Sequence, residues 1–197
     1  GLAATRQGRL QRARDMADQL ARAGIPGVLD GALAYVEQPE QVSRTHIARY
    51  LVHCGVCADL HEVFRRFLVA GKPGHVPHRW ARLGDAVRWI NGAGGLAVVA
   101  HPARCHFNPT LEYALFSEFA THGGRGVEVM VSAHHADERL RFGAIAEEFK
   151  LYASRGSDFH SPLESRVDLG QLPDLPGRLK PVWEALAHRI EGLRPAA

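Results

Sequence analysis

The carboxy-terminal part of the sequence alternates short apolar runs with helical patterns, and this alternation constrains the fold more than any other feature. The runs occupy residues 96–100, 126–131 and 151–154, and helical patterns precede, separate and follow them. The first run is apolar at every position, as expected of a strand buried on both faces of a sheet. Helices and strands that alternate at this spacing predict an α/β fold, with a parallel sheet or part of a β/α barrel.

Residues 1–80 are organised differently, because helical patterns joined by short turns fill this part of the chain. Leu10, Ala13 and Ala17 recur at spacings of three and four, which gives a helix one apolar face. The strand-like runs begin only after this part. The sequence therefore predicts a helical subdomain at 1–80 and an α/β part at 81–197.

Composition and charge exclude several classes of protein. Hydrophobic residues make up 46% and charged residues 23% of the 197 positions, which indicates a packed core rather than general disorder. The net charge of +3 suits an anionic ligand but is too small for a dedicated nucleic-acid-binding surface. Three cysteines indicate no disulfide framework and favour a reducing, cytoplasmic setting. No apolar stretch approaches the ~18–20 residues of a membrane span, so we expect no membrane partner.

Side chains suited to metal binding follow two of the predicted strands. His101 comes directly after the first run, and Asp158 and His160 follow the third. The carboxyl ends of parallel strands meet at one edge of a sheet, where loops carry reactive groups. If 156–160 is extended, Asp158 and His160 point to the same side and can reach one ion. Carboxylate with imidazole suits Mn²⁺, Zn²⁺ or Fe²⁺, so we predict a metal site, with an ordinary surface loop as the alternative.

Three cationic side chains are candidates for holding a phosphate group. Arg44 stands at the predicted start of a helix, where free backbone N–H groups also favour anions. Lys72 lies in a tight Gly-Lys-Pro-Gly turn, and Arg104 follows His101 by three residues, near the same rim. The alternative for Arg44 and Lys72 is a solvated basic surface.

Other polar side chains have two interpretations each. Glu128 lies inside the second predicted strand and is either an acid directed at the site or a paired side chain in the core. His134 lies just beyond the end of that strand. Cys54 and Cys57 have the spacing of half a zinc site, but no second pair exists, so ordinary packing is the expected role.

Two strings of residues are similar to a known family. Residues 94–104 (GGLAVVAHPAR) and 156–160 (GSDFH) resemble the PHP (polymerase and histidinol phosphatase) superfamily. The most similar branch contains bacterial nucleotide phosphatases and 5′-to-3′ exoribonucleases, which residues 43–49 and 71–74 also resemble. The resemblance spans nearly the whole chain, and residues 1–80 would correspond to the helical insertion of that branch.

The resemblance implies the carboxy-terminal portion of a distorted (β/α)₇ PHP barrel, interrupted by that inserted helical subdomain, or lid. It also implies a centre of two or three divalent ions, usually Mn²⁺, with Zn²⁺, Fe²⁺ or Mg²⁺ as alternatives. His101, Asp158 and His160 match the last three metal ligands of the family. The family's H-x-H motif has no counterpart in this sequence. The other ligands would therefore precede Gly1 in a longer protein, or this polypeptide alone would be inactive.

The activity implied by the resemblance is hydrolysis of nucleotide phosphate esters by a metal-activated hydroxide. The expected substrates are 3′,5′-bisphosphonucleotides or the 5′ ends of short RNA, in a cytoplasmic enzyme without an obligate protein partner. Arg44, Lys72 and Arg104 would clamp phosphate oxygens, and His134 would contact the substrate or protonate the leaving oxygen. The alternatives are a small-metabolite phosphatase, such as a histidinol phosphatase, and a non-catalytic PHP-derived binding module.

Overall fold

The chain forms two compact units, the first ending at Ala81 and the second beginning at Arg82. The computed structural model describes residues 2–189 except 79, 163 and 166. The first unit is helical, and the second combines helices with a parallel sheet, which confirms the predicted α/β class. That the first unit is an inserted lid stays a prediction. Within the described residues, no helix has the length and apolar composition needed to cross a membrane.

The first unit is built on one long helix that packs against shorter ones. Ala13, Met16 and Leu20 of this helix are buried, which confirms the predicted apolar face. The Asp59 carboxylate accepts a hydrogen bond from the N–H of Glu62 at 2.8 Å and so caps the last helix. The helices are α1 (Leu2–Arg22), α2 (Val28–Leu33), α3 (Arg44–His53) and α4 (Leu60–Val63), with a 3₁₀ turn at Pro39–Gln41 and a π turn at Phe64–Leu68.

Over its described residues, the second unit contains three parallel strands with a helix in each crossover. The strand order is β1-β2-β3, so β2 is central and pairs with both neighbours. The elements are α5 (Leu83–Gly92), β1 (Val98–Val99), α6 (Pro109–Thr121), β2 (Gly126–Val131), α7 (Ala136–Glu148), β3 (Tyr152–Gly156) and α8 (Val182–Ala185), with 3₁₀ turns at Pro102–Cys105 and Ala187–Arg189.

The predicted bounds of the strands agree with the structure to different degrees. The run at 126–131 coincides with β2, whereas β1 is shorter than the run at 96–100 because only two of its residues pair with β2. The apolar residues Val182, Leu186 and Ile190, which follow the third run in the sequence, predict one last helix, and its length is wrong. The helix α8 ends at Ala185, and Ile190 lies outside the described residues.

The central strand is buried and carries one irregularity. Every residue of β2 except Glu128 is buried, as expected of a strand covered on both faces. Glu128 pairs with Ser154, but Met130 pairs with the next residue of β3, so Val129 is an extra residue in β2. A β-bulge of this kind leaves the extra residue outside the ladder and changes the direction of nearby side chains.

The buried face of α7 gives a test of this packing. Phe142 is fully buried and contacts the rings of Phe116 and His134. Phe142→Ala should therefore lower the free energy of unfolding by about 3–5 kcal/mol. Leu140 on the same helix is 65% exposed, so Leu140→Ala should change it by less than ~0.5 kcal/mol. Urea unfolding followed by circular dichroism measures both, and equal losses would contradict the assigned core face.

Candidate functional site

The loop after β1 begins with a residue in an uncommon backbone conformation. His101 has φ 31° and ψ 57°, in the left-handed region that costs a residue with a side chain free energy. A side chain of the neighbouring strand holds this residue, because Oε2 of Glu128 accepts a hydrogen bond from the His101 N–H at 2.6 Å. The histidine that follows β1 is therefore fixed to β2 through its backbone.

The loop after β3 also departs from regular geometry. Asp158 is left-handed, with φ 54°, so the extended conformation expected for 156–160 is wrong. Its side chain and that of His160 are nevertheless near each other, with 3.9 Å between Asp158 Oδ1 and His160 Nδ1. The Asp158 carbonyl lies 2.8 Å from the same Nδ1. An Nδ1–H that donates to this carbonyl leaves Nε2 of His160 with a lone pair for a metal ion.

An arginine joins the two loops. Nη2 of Arg104 lies 2.9 Å from Oδ2 of Asp158, so the 3₁₀ turn after β1 is tied to the residues after β3. The Asp158 side chain is only 20% exposed, whereas that of Arg104 is 53% exposed. The guanidinium therefore neutralises a largely buried carboxylate and still presents donors to solvent. The predicted nearness of Arg104 to the rim that carries His101 and Asp158 is confirmed.

Glu128 belongs to this group of charges, although sequence reasoning left its role open. Burial raises the pKa of Glu128, and the hydrogen bond and the charge of His101 oppose that shift. The Asp158 carboxylate raises the Glu128 pKa further, and the charge of Arg104 lowers it. These interactions mean that all four side chains lie within electrostatic range at the carboxyl edge of the sheet. A charged residue inside an otherwise apolar strand was the only signal that could have selected Glu128.

The donors at this edge fit a divalent cation in their chemistry. Imidazole and carboxylate groups suit Mn²⁺, Zn²⁺ or Fe²⁺, and the bonded Nδ1 of His160 is an arrangement typical of metal-ligating histidines. Among the described residues, no three His, Cys, Asp or Glu side chains already converge on one point. His101, Asp158 and His160 stay the predicted ligands. Cys57 is buried in the helical core and Cys54 is exposed, in agreement with packing rather than a zinc site.

His134 has a structural position, and this argues against its predicted contact with substrate. The residue is 2% exposed, and its ring stacks on Phe142 at 4.9 Å between ring centroids. Nδ1 lies 3.0 Å from the carbonyl oxygen of the bulged Val129, and Nε2 lies 3.4 Å from the backbone nitrogen of Ala103. Both ring nitrogens are therefore used within the protein, and neither is presented to a leaving oxygen.

The two bonds of His134 also define its protonation state. An Nδ1–H tautomer donates to the Val129 carbonyl and accepts from the Ala103 N–H through Nε2, whereas an imidazolium could not accept. Burial accordingly lowers the pKa of His134. The Val129 carbonyl and the charge of Glu138 oppose that shift, and the charges of Arg139 and His101 add to it. His134 is thus a neutral link between the loop after β1 and the end of β2.

Arg44 lies in a separate pocket of about 210 Å³ within the helical unit. Arg9 and Arg12 also line this pocket, and burial and the charge of Arg44 lower the pKa of the Arg12 guanidinium. The rings of Phe64 and Trp80 complete the lining, with the guanidinium carbons of Arg44 and Arg9 at 5.6 and 6.0 Å from their centroids. Crowded cations beside aromatic rings favour an anion that carries a planar group.

Lys72, the other cation predicted in this unit, lies in an exposed turn outside that pocket. Its backbone N–H donates to the Val69 carbonyl at 3.1 Å, which closes the turn. The structure therefore does not bring Lys72 into the cationic pocket of Arg44. Its role as a phosphate ligand stays a prediction.

Comparison with curated proteins gives relatives along the whole chain, although no protein-family model matches it. The chain is 49% identical over 196 residues to the 3′,5′-nucleoside bisphosphate phosphatase of Chromobacterium violaceum, covering all of this chain and 68% of that protein. It is 38% identical over 183 residues to the 5′-3′ exoribonuclease Rnm of Escherichia coli, covering 93% of this chain and 62% of the exoribonuclease. The chain thus spans about two thirds of the length of these relatives.

Solved structures give a consistent result. An amidohydrolase from Chromobacterium violaceum, solved with bound sulfate and without metal, superposes on the entire chain with a TM-score of 0.90 and 49% identity, over 67% of its own length. A protein from Bifidobacterium adolescentis described as a metal-dependent phosphoesterase superposes on 87% of this chain and 61% of its own, with a TM-score of 0.74 and 27% identity. The fold described above is therefore shared with both.

The neutral state of His134 predicts how stability depends on pH. The pKa of His134 is about 6.5 in the unfolded chain and lower in the folded protein. The contribution of neutral His134 to the free energy of unfolding is therefore complete above pH ~6.5 and is lost as the pH falls through the folded pKa. His134→Gln, which does not titrate, should be less stable than the wild type by about 1–3 kcal/mol at pH 8. This difference should shrink between pH 7 and pH 5 in urea unfolding. A stability difference that does not change with pH would contradict the neutral state of His134. Complete loss of turnover in a His134→Gln variant as stable as the wild type would instead indicate a catalytic role.

Proposed function

Since this chain belongs to the PHP family of nucleotide phosphatases and exoribonucleases, we propose that the whole protein is a metal-dependent phosphoesterase of nucleotides. Its substrates would be 3′,5′-bisphosphonucleotides or the 5′ ends of short RNA. The observation that carries the proposal is 49% identity, along the entire chain, to a 3′,5′-nucleoside bisphosphate phosphatase. The relatives do not favour a small-metabolite phosphatase or a non-catalytic module.

The second unit would form the carboxy-terminal part of a distorted (β/α)₇ barrel, with the helical unit inserted in its sequence. The parallel strands β1, β2 and β3 with helical crossovers support this proposal, as does the superposition on a phosphoesterase with a TM-score of 0.74. In β/α barrels the active site lies at the carboxyl ends of the strands. His101, Asp158 and His160 follow strands at that edge.

These three residues would hold divalent ions, with Mn²⁺ as the first candidate. When bound, such ions lower the pKa of water and neutralise the charge that develops on a phosphoryl group. His160 would bind through Nε2, because its Nδ1 is engaged by the Asp158 carbonyl. The Arg104 guanidinium orients the Asp158 carboxylate, and its exposed donors are suited to the oxygens of the phosphate that is cleaved.

The cationic pocket of the helical unit would bind a phosphate of a nucleotide. Arg9, Arg12 and Arg44 place three guanidinium groups around one cavity, an arrangement that an anion stabilises. The indole of Trp80 and the phenyl ring of Phe64 offer surfaces on which a base can stack. A phosphate joined to a base satisfies both features, which favours a nucleotide over a small polar metabolite.

A comparison of two substrates tests the proposed second phosphate site. The protein should turn over a 3′,5′-bisphosphonucleotide with a higher kcat/KM than the matching monophosphate. Arg44→Ala should lower kcat/KM for the bisphosphate by about 10–100-fold and leave the monophosphate nearly unchanged, because a charged hydrogen bond contributes ~1.5–3 kcal/mol. Arg14, an exposed cation of α1 outside the pocket, provides the control variant Arg14→Ala. Equal values of kcat/KM for the two substrates in the wild type would exclude a role of this pocket in binding a second phosphate.

Removal of divalent ions tests the metal requirement. Dialysis against a chelator should abolish turnover, and added Mn²⁺ should restore it. His160→Asn should lower the Mn²⁺ content per protein in elemental analysis after gel filtration, with little effect on stability, because the His160 side chain is 54% exposed. His106→Asn is the matched control, an exposed histidine in the same unit whose left-handed backbone Asn tolerates. Full activity in the chelated protein would contradict the proposal.

A further inference from the structure

We propose that Glu128 is a positioning residue, whose carboxylate holds the backbone of His101 in the left-handed conformation that presents the imidazole to the metal ion. The proposal rests on the metal-dependent function proposed above and assigns a role that sequence reasoning left open. Glu128 would act through His101 and would not itself bind the ion.

A short hydrogen bond joins the Glu128 side chain to the backbone of His101. Oε2 of Glu128 accepts the His101 N–H at 2.6 Å, which is short for an N–H···O hydrogen bond and typical of a charged acceptor. The conformation of His101, with φ 31° and ψ 57°, is unfavourable for a residue with a side chain. Such a conformation persists only when its surroundings enforce it. Glu128 supplies an enforcing contact at the same residue.

The strand that carries Glu128 is a rigid support. Glu128 projects from β2, which pairs with β1 on one side and β3 on the other. The neighbouring residues Val127 and Val129 are fully buried. A side chain on a central, buried strand moves little. Glu128 therefore fixes the position of the His101 N–H and with it the start of the loop after β1.

The second carboxylate oxygen of Glu128 lies on the β3 side. A Cβ built on Gly156 would lie at an ordinary contact distance of 3.6 Å from Oε1 of Glu128, so this oxygen is next to the end of β3. One oxygen therefore faces the loop after β1 and the other faces β3. His134 also contacts this loop, because its Nε2 accepts a hydrogen bond from the Ala103 N–H. This bond is longer, at 3.4 Å, and Ala103 lies two residues after His101.

Two conservative variants separate the reach of this side chain from its charge. Glu128→Gln retains an oxygen at the same distance and loses the charge, whereas Glu128→Asp retains the charge and loses one methylene of reach. A positioning role predicts that Glu128→Gln binds Mn²⁺ within about threefold of the wild type. Glu128→Asp should bind it about 10–100-fold more weakly, the usual effect of removing a group that orients a metal ligand. Free Mn²⁺ measured by electron paramagnetic resonance reports affinity without any assay of turnover.

Amide hydrogen exchange in the metal-free protein gives a direct readout of the bond. The His101 amide should be protected in the wild type and in Glu128→Gln, and should exchange faster in Glu128→Asp. A merely structural effect would lower protection across the sheet, whereas a positioning role changes His101 selectively. This measurement needs no bound metal, so it tests the role of Glu128 even if the proposed metal-dependent function fails.

A buried acid elsewhere in the second unit provides the control. Glu112 on α6 is 7% exposed and contacts Arg141 of α7 at 3.5 Å. Glu112→Gln and Glu112→Asp should lower thermal stability and leave Mn²⁺ affinity within about twofold of the wild type. Equal weakening of Mn²⁺ binding by both Glu128 variants would overturn the proposal and identify the carboxylate as a ligand. Unchanged binding and unchanged His101 exchange in Glu128→Asp would also overturn it.

Discussion

The candidate site depends on one arrangement, in which side chains of the central strand and of the turn after it satisfy backbone groups of the loop after β1. Glu128 accepts from the His101 N–H, and His134 accepts from the Ala103 N–H while it donates to the Val129 carbonyl. Buried backbone groups that lack partners cost free energy, so a loop with an irregular conformation requires such partners. β2 and the turn after it supply these partners, and the loop can therefore depart from regular geometry.

Both strand-end residues predicted to bind metal, His101 and Asp158, adopt left-handed conformations. Strained backbone of this kind concentrates at functional sites, where the surrounding structure maintains it. Asp158 is held differently from His101, by the Arg104 guanidinium at its carboxylate and by the ring of His160 at its carbonyl. The two loops are thus joined to each other as well as to the sheet. Metal ligands supported in this way keep their orientation without a contribution from the ion itself.

The sequence was sufficient to predict helices and strands, but not the contacts between side chains and backbone that hold the candidate site. Apolar periodicity located α1 and β2, because burial of one face or of both faces leaves a direct pattern in the residues. The conformation of Asp158 was wrong, since a positive φ in a residue other than glycine depends on tertiary contacts and not on local preference. His134 was assigned to substrate because it follows β2, but the turn directs its ring back towards the bulge at Val129. The bulge is a property of strand register, which no local pattern specifies.

The two units differ in the kind of interaction they offer a substrate. The edge of the sheet presents carboxylates and imidazoles, with one guanidinium paired to Asp158. These groups suit metal cations, and bound cations would in turn attract a phosphate. The pocket around Arg44 presents guanidinium groups and aromatic rings, which suits a phosphate and a base directly. The roles proposed for the two units, metal binding at the edge of the sheet and phosphate binding in the pocket, would therefore rest on separate sets of side chains. Because the two sets share no residue, a substitution in the pocket should leave the supports of His101 and Asp158 intact.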